Sequence, residues 1–346
     1  MKILFIGNLS NYSRSKERYE TMLIKYEVTP INTHPRNFVS DTSKIFTKLY
    51  LFFHKISAKF GGILDPKLVN IRLLFAVFFK DFDIIWIEKN PFTSRHIIRL
   101  AKIFRRDIKV IHYSNDALHL RHNQYKNTMY IQSECDISVI IKGYPKAFIR
   151  NLNAKKVIDV NRSHASQLLE HADLLQDRKY DIVFIGRYEK ERALSIINLA
   201  QNINNNIHVW GNAWDKLTLS VPKNLIIMGR PIWNDEFIQT VLNAKVVLNF
   251  LRKINDDVTT GRSVEIPALG RCMVAEASNE HLFMFENMKE AHFFNSDHEL
   301  IEQVRFVLSN KKHMADVERA AWERMKSGDF LHETMISRVL AELKET

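Results

Sequence analysis

The chain has 346 residues, of which 46% are apolar and 26% charged, and its formal net charge is +11. This length predicts one large or two medium domains, and a content of only 10 glycines and 8 prolines excludes collagen-like and low-complexity architectures. The positive charge favours anionic partners such as nucleotide phosphates or an acidic membrane surface. Because the basic residues are spread along the sequence and no aromatic RNA-binding motif occurs, we expect no nucleic-acid partner.

The cysteine content and the apolar runs indicate the cellular compartment. Cys135 and Cys272 are far apart and form neither a metal-binding spacing nor a disulfide framework, so a reducing compartment is expected. Residues 1–7 are too short and too strand-like for a signal peptide, and the apolar run 73–79 is too short to span a bilayer. We therefore expect a cytoplasmic protein.

The first half of the sequence alternates apolar strand patterns with helix patterns. Predicted strands cover residues 2–6, 83–88, 109–113 and 136–141. Predicted helices cover residues 15–25 and 93–104. Strands that read as continuous apolar runs between helices are typical of a parallel sheet that is covered on both faces.

The same pattern restarts after residues 160–179. Predicted strands cover residues 181–185, 207–210, 225–228, 245–250 and 272–275. Predicted helices cover residues 191–202, 235–244, 264–269, 299–309 and 314–325. The sequence thus predicts an α/β fold of two tandem Rossmann-like, doubly wound parallel-sheet domains, residues 1–165 and 166–329. Ligands of such sheets bind at the carboxyl ends of the strands, so we expect an active site in the cleft between the two domains.

The stretch 256–270 (DDVTTGRSVEIPALG) is the strongest candidate for a binding site, since it links a strand to a helix through a polar loop. Its candidate residues are Asp257, Thr260, Gly261, Arg262 and Glu265. Carboxylates accept hydroxyl groups, whereas an arginine and the amides of a helix N-terminus attract anions, a combination that suits a nucleotide sugar. The alternative is simple helix capping, in which Thr259, Thr260 or Ser263 is the N-cap and acidic residues stabilise the first turn.

The stretch 186–192 (GRYEKER) is a second candidate. Gly186 permits a tight turn at the end of a strand, and Arg187, Lys190 and Arg192 offer cationic donors for a diphosphate. The alternative is a solvated turn that opens an amphipathic helix.

Two residues of the first domain complete the candidate set. His112, near the end of a predicted strand, is a candidate for orienting a sugar hydroxyl or assisting proton transfer, and the alternative is a buried, hydrogen-bonded histidine. Asn8 follows the first strand, where short residues allow a ligand to approach.

Several common catalytic motifs do not occur. The sequence contains no dinucleotide-binding, P-loop, zinc-hydrolase or serine-hydrolase motif, and its histidines are too scattered to suggest a metal site. Residues 44–80 mix Lys, Arg and Phe at roughly helical spacing. They are candidates for a peripheral contact with the inner face of the membrane or with a lipid-linked or polyanionic acceptor, and the alternative is a pair of amphipathic helices packed on the first domain.

At these motifs the chain resembles the GT-B glycosyltransferases, in particular the CgeB-like branch of the family-four retaining enzymes. The segments that carry the resemblance are IVFIGRYEKER, IHVWGNAW, VVLNF, TTGRSVEIPALGRCMVAE, MKEAHFFNSDHELIEQV and FLHETMISRVL. The resemblance covers residues 181–338 well, and the first half matches only in its strand pattern. The resemblance also implies that a C-terminal helix, residues 330–346, crosses back to the first domain.

The resemblance implies roles for individual residues. Glu265 stands where the family binds the nucleotide ribose, and Asp257, eight positions earlier, stands where an acidic residue, usually Glu, binds the donor sugar. Arg187, with Lys190 or Arg192, corresponds to the residues that hold the diphosphate. Arg262 matches an arginine of the CgeB-like branch.

The implied activity is transfer of a hexose-type sugar from a nucleotide-sugar donor to a glycan, lipid or protein acceptor, in the synthesis of cell-surface glycans. The resemblance implies retention of configuration and no metal ion or other cofactor, because cationic side chains stabilise the leaving diphosphate. The alternative is a GT-B-shaped protein that binds a nucleotide or a sugar without turnover.

Overall fold

The structure, a computed structural model, describes residues 1–11, 13–34, 52, 56, 65, 67–172 and 177–345. The chain forms two compact units. Unit 1 comprises Met1–Asn161 and His332–Thr346, and unit 2 comprises Arg162–Leu331.

Unit 1 contains a parallel sheet that has six strands in the described residues. The strands are β1 (Lys2–Gly7), β2 (Glu27–Asn32), β3 (Ile84–Glu88), β4 (Lys109–Ser114), β5 (Ile137–Ile141) and β6 (Lys156–Val160). Their order across the sheet is β2-β1-β3-β4-β5-β6. Strands β1, β3 and β5 are almost entirely apolar and buried, because helices cover both faces of the sheet.

The helices of unit 1 fill the connections between these strands. They are α1 (Arg14–Leu23), α2 (Val69–Phe79), α3 (Arg95–Phe104), α4 (Lys126–Tyr130) and α5 (Lys146–Arg150). Helices α2 and α3 pack against one face of the sheet, and α1 packs against the other. Arg18 of α1 is buried and forms a two-pronged ion pair with Glu88 at the end of β3, with N–O distances of 2.9 and 2.6 Å.

Unit 2 repeats this architecture, again with six parallel strands in its described part. The strands are β7 (Tyr180–Ile185), β8 (Ile207–Trp210), β9 (Leu225–Ile227), β10 (Ala244–Asn249), β11 (Cys272–Glu276) and β12 (His292–Phe294). Their order is β12-β11-β10-β7-β8-β9, so β7 and β10 are neighbours at the centre of the sheet. The polar loops that follow these two strands therefore leave the same edge of the sheet side by side.

The helices of unit 2 lie on both faces of its sheet. They are α6 (Gln167–Glu170), α7 (Lys190–Asn202), α8 (Asn234–Leu242), α9 (Arg262–Ala268), α10 (Asn279–Met284), α11 (Asp297–Ser309) and α12 (Lys311–Lys326). The last helix, α13 (His332–Glu342), belongs to unit 1, where its apolar residues join the core beside α1. The prediction of two doubly wound parallel-sheet domains is confirmed.

Most of the predicted basic and aromatic segment 44–80 lies outside the described residues, and its described part is mainly α2. In the described residues, no helix combines the length and the apolar character that crossing a bilayer requires.

Candidate functional site

Two loops that the sequence singled out meet at the carboxyl edge of the unit 2 sheet. Arg262, at the start of α9, donates from Nε to the carbonyl of Ile185 in β7, with a distance of 3.5 Å. Arg192 of α7 donates to the carbonyl of Leu251, after β10, also over 3.5 Å. These contacts bring together the loops after β7 and β10, which contain residues 186–192 and 256–265, although the loops are far apart in the sequence.

The turn at Gly186 is fixed by its neighbours. Its amide donates to the Trp210 carbonyl, and its own carbonyl accepts a hydrogen bond from Nε1 of Trp214, each over 2.9 Å. Gly211 packs so closely that a Cβ atom there would lie 1.8 Å from the Gly186 oxygen. The close approach of these two backbones explains why residue 211 is glycine, whereas a Cβ atom at residue 186 would instead lie 2.6 Å from the Phe184 ring.

The loop that leads into α9 is held by a buried hydrogen-bond network. The Thr260 hydroxyl donates to Oδ1 of Asn249 over 2.8 Å and accepts the Arg262 amide over 3.1 Å. The Ser263 hydroxyl accepts from the Thr260 amide over 2.9 Å and from Nδ2 of Asn249 over 3.1 Å. These contacts hold Thr260 and the first turn of α9 against the end of β10.

His281 completes this network from α10. Its Nδ1 lies 2.8 Å from the Glu276 carbonyl and its Nε2 lies 2.7 Å from the Ser263 hydroxyl. Because a carbonyl only accepts, Nδ1 carries the proton and Nε2 accepts from Ser263. Burial lowers the pKa of His281 to about 4, so the ring is neutral at about pH 7.

Glu265 lies in the first turn of α9 and is almost fully buried. Its carboxylate forms an ion pair with Arg262, whose guanidinium lies 3.9 Å from the centre of the Phe237 ring. These contacts hold the carboxylate in one orientation. Since α9 has only 7 residues, its dipole adds little, and anion binding at this edge depends mainly on side chains.

Arg192 is held by contacts within the protein. Its guanidinium is buried and bonds to the Glu189 carboxylate over 3.0 Å and to the Arg187 carbonyl over 3.4 Å. Burial lowers the pKa of Arg192, and the nearby Glu189 and Asp257 carboxylates act against this effect. Arg192 therefore has a structural role that joins two loops, and its predicted diphosphate contact stays a prediction.

Arg187 and Lys190 are the exposed cations at this edge. Neither side chain has a hydrogen-bond or ion-pair partner among the residues that the structure describes. The neighbouring carboxylates already form ion pairs with other cations. Glu189 pairs with Arg252 over 2.7 Å as well as with Arg192, and Glu191 pairs with Lys253 over 3.2 Å. The beginning of α7 therefore has positive charge available for an anion.

Asp257 is half-buried in the loop after a short 3-10 helix, Lys253–Asn255. Its amide donates to the Arg252 carbonyl over 3.2 Å. Asp256, which precedes it, is exposed and has a φ of 51°. The carboxylate of Asp257 is thus the better placed of the two to contribute to a site beside Arg192.

The two candidates in unit 1 have different surroundings. His112 is completely buried, with Nδ1 3.0 Å from the Gln132 amide, and burial lowers its pKa to about 3. The ring is thus enclosed as in the alternative of a buried, hydrogen-bonded histidine, and the catalytic role of His112 stays a prediction. Asn8 is half-buried after β1, and its side-chain oxygen accepts the Ser10 amide over 2.9 Å.

Sequence comparison adds one family match. A family model described as "Glycosyl transferase-like" matches residues 190–340. The match includes Asp257, Arg262 and Glu265, and it leaves Gly186 and Arg187 outside. No curated protein sequence matches the chain significantly.

Several solved structures match the whole chain. HepE from Anabaena, in complex with UDP-glucose, is 13% identical, with a TM-score of 0.66 and 100% of both chains covered. Sucrose-phosphate synthase from Thermosynechococcus elongatus is 9% identical, with a TM-score of 0.59, covering 100% of this chain and 99% of that chain. A glycosyltransferase from Rickettsia africae is 10% identical, with a TM-score of 0.61, covering 99% and 98%. The chain has a GT-B fold.

Within this GT-B fold, sequence reasoning missed the residues that position the site. Asn249, His281 and Glu189 were not singled out, and Ser263 was considered only as a helix cap. A polar residue inside an apolar strand, such as Asn249 in β10, was the available signal, because buried amides require hydrogen-bond partners. His281 gave no comparable signal, since its partner Ser263 lies 18 positions away.

Proposed function

We propose that the chain is a glycosyltransferase that uses a nucleotide-sugar donor, bound in unit 2 at the carboxyl ends of β7 and β10. The observation that carries this proposal is the meeting of the two predicted loops at one edge of the sheet. There, the available cations Arg187 and Lys190 and the oriented carboxylate of Glu265 offer complementary groups for a diphosphate and a ribose. The GT-B fold and the family match of residues 190–340 support the same function.

Each part of the donor has a proposed partner. The Glu265 carboxylate, held by Arg262, accepts the ribose hydroxyls, and Arg187 and Lys190 bind the diphosphate. The Thr260 and Gly261 segment lies beside these groups and supplies further polar contacts. Asp257 accepts hydroxyls of the sugar, with a reach one methylene shorter than that of a glutamate. A UDP-sugar is the first donor to test, because the similar HepE structure holds UDP-glucose.

In the proposed reaction, the bond between the anomeric carbon and the donor phosphate breaks, and an acceptor hydroxyl forms the new bond to that carbon. The hydroxyl proton passes to the departing phosphate. Arg187 and Lys190 stabilise the charge that develops on the leaving diphosphate, which lowers the barrier electrostatically. We propose that these cations act without a metal ion and that the configuration is retained, as in the CgeB-like branch that the motifs resemble. The proposed steps do not use His112, which is buried.

The acceptor and the cellular setting are proposals of the same kind. We propose a glycan, lipid-linked or protein acceptor, a hexose as the transferred sugar, and a cytoplasmic enzyme of cell-surface glycan synthesis. The predicted peripheral membrane contact of residues 44–80 stays a prediction that is separate from the transfer reaction.

A second candidate function is binding of a nucleotide or sugar without turnover. The observation that favours it is Asp257, which stands where the resembled family usually has Glu. Such a protein would bind donor through Glu265 and Arg187 but would not release the nucleoside diphosphate. Donor binding and donor turnover therefore need separate measurements.

The first experiment is a thermal-shift screen of the full chain with UDP, GDP, TDP, ADP and CMP. A ligand that binds only the native state raises the melting temperature by mass action. We expect one nucleoside diphosphate to raise it in the wild type and in Glu302→Ala, which removes an exposed carboxylate of α11, but not in Glu265→Ala. An equal shift in Glu265→Ala would refute the ribose assignment.

The second experiment measures release of the nucleoside diphosphate from the matching nucleotide sugar. Release by the wild type, and its loss in Asp257→Asn with nucleotide binding retained, would support transfer. Binding without release in the presence of a range of acceptors would favour the non-catalytic function.

A further inference from the structure

One face of unit 1 exposes a group of large apolar side chains. We call it the α2–α3 surface; its members are Ile71, Phe75, Phe78, Phe79, Ile103 and Phe104. Their exposed fractions range from 50% for Phe104 to 70% for Phe79. Single exposed apolar residues are common on soluble proteins, but a group of six on two neighbouring helices requires an explanation.

Helix α2 is apolar on both of its sides. It buries Val69, Leu73 and Val77, spaced four residues apart, against the sheet. Its opposite side carries Phe75 and Phe78, which remain exposed. A helix that only covers a core has a polar outer face, whereas a helix that is apolar all round is surrounded by other apolar material. The exposed side of α2 therefore does not belong to the core of unit 1.

The aromatic rings form one continuous patch. The Phe78 ring centre lies 5.1 Å from that of Phe79 and 5.8 Å from that of Phe104 on α3. The Phe75 and Phe79 rings stack with their centres 5.8 Å apart. The contact between Phe78 and Phe104 joins the two helices into a single surface.

Cationic side chains accompany this patch. Arg72, Lys80 and Arg106 are exposed, and none of them has an ion-pair partner in the part of the chain that the structure describes. Of the nearby acidic residues, Asp81 is paired with Arg105 over 2.7 Å, and Asp107 is exposed. The unpaired charge next to the aromatic rings is therefore predominantly positive.

We propose that the α2–α3 surface docks onto an anionic phospholipid bilayer. Aromatic rings favour the level of the lipid headgroups, where an apolar face is buried and flanking lysines and arginines contact lipid phosphates. A second copy of the chain is a poorer occupant, because a two-fold interface centred on this patch brings its like charges together. The proposal is independent of the proposed transfer reaction.

Docking in this way leaves the carboxyl edge of the unit 1 sheet uncovered. Helices α2 and α3 lead into the amino ends of β3 and β4, so Phe79 and Phe104 lie toward the opposite edge from the loops that follow the strands. A membrane on the α2–α3 surface therefore does not block the edge at which ligands of doubly wound sheets bind.

The test is sedimentation of the full chain with vesicles of phosphatidylcholine alone or mixed with phosphatidylglycerol. We expect binding only to the mixed vesicles, and a decrease as salt rises. The aromatic variant Phe75→Ser/Phe78→Ser/Phe79→Ser should lose binding. The charge variant Arg72→Glu/Lys80→Glu/Arg106→Glu should bind at least about fivefold more weakly for each cation replaced. The control Phe283→Ser removes an equally exposed ring from unit 2 and should bind as the wild type does.

Circular dichroism and melting temperatures report whether each variant folds, and the charge variant remains a valid test if the aromatic variant does not. The proposal is overturned if the wild type binds neither kind of vesicle or binds both equally. It is also overturned if a folded charge variant binds as well as the wild type does. Light scattering that detects a dimer in the wild type and a monomer in the aromatic variant would instead assign the surface to a second copy.

Discussion

The Ser263 hydroxyl lies 2.7 Å from Nε2 of His281, inside unit 2 and directly behind the first turn of α9. Ser263 in turn accepts the Thr260 amide and the Asn249 side chain, so one neutral imidazole supports the loop that precedes Arg262 and Glu265. The geometry of the proposed donor site therefore depends on a residue that we expect not to touch the donor.

The first prediction concerns the pH dependence of unit 2. The pKa of His281 falls from an ordinary 6.5 to about 4 in the folded state, so the unfolded chain binds the proton more readily. The neutral His281 ring therefore contributes its full stabilisation above the unfolded-state pKa of 6.5. This stabilisation is lost as the pH falls from 6.5 toward the folded-state pKa of about 4. From about pH 7 to about pH 5, we expect this residue alone to lower the free energy of unfolding by about 2 kcal/mol.

Chemical denaturation at the two pH values measures this effect. His281→Gln keeps hydrogen-bonding groups but does not titrate, so its stability should fall by about 2 kcal/mol less than that of the wild type over the same range. His298→Gln, which replaces an exposed histidine of the same unit, is the control variant. Equal pH dependence in wild type and His281→Gln would contradict the prediction.

The second prediction separates two arginines of the same motif. Arg187→Ala should weaken nucleoside-diphosphate binding and leave the melting temperature almost unchanged, because Arg187 is exposed and has no partner in the described residues. Arg192→Ala should cost about 2 kcal/mol of stability, because it removes a buried group that bonds to Glu189 and to two carbonyls. Calorimetric titration with nucleotide and thermal unfolding distinguish the two. Unchanged nucleotide affinity in Arg187→Ala would remove that residue from the site.

The third prediction concerns the contact between Gly211 and Gly186. Gly211→Ala places a Cβ atom 1.8 Å from the Gly186 oxygen, so the β7 turn must shift, and we expect a loss of stability together with weaker nucleotide binding. Gly229→Ala is the matched control, since its Cβ meets nothing within 4 Å although its φ is +67°. We expect it to cost only about 1 kcal/mol of backbone strain. Thermal unfolding and nucleotide titration of both variants decide the matter.

The fourth prediction concerns the buried ion pair of unit 1. Arg18→Ala leaves the Glu88 carboxylate buried without its main partner and should destabilise unit 1 by about 3–5 kcal/mol. The double variant Arg18→Met/Glu88→Met should recover much of this loss, because it removes both charges and keeps the volume. Lys289→Ala breaks an exposed pair with Glu286 and should leave stability almost unchanged, because solvent screens exposed ion pairs. Denaturant unfolding of the three variants tests the comparison, and an Arg18→Ala protein as stable as the wild type would contradict it.

The sequence was most informative where strands are buried on both sides. Residues 2–6, 109–113 and 181–185 were predicted as strands and match β1, β4 and β7 within about one residue at each end. By contrast, the edge strand β2 (EVTPIN) was missed, because it is only partly buried and contains a proline and polar residues. The short strand β12 was missed because three residues carry too little pattern.

At the site, the sequence located the loops better than the roles of their side chains. Arg187 and Arg192 belong to one basic motif. Their environments differ because Arg192 is buried and paired with Glu189, whereas Arg187 is exposed. The inward orientation of His112 depends on Gln132, which lies 20 positions away. Contacts between residues distant in sequence leave no periodic trace, so such roles become visible only in three dimensions.

The division of the chain has a consequence for how it folds during synthesis. Unit 2 is one continuous segment, whereas unit 1 includes α13, which is translated after all of unit 2. On the ribosome, unit 2 is thus able to form its core first. The face of the unit 1 sheet beside α1 is completed only when Met335, Ile336 and Val339 of α13 have been synthesised. Until that helix emerges, an apolar surface of unit 1 is open, and this interval is when the nascent chain is most exposed to aggregation and to chaperones.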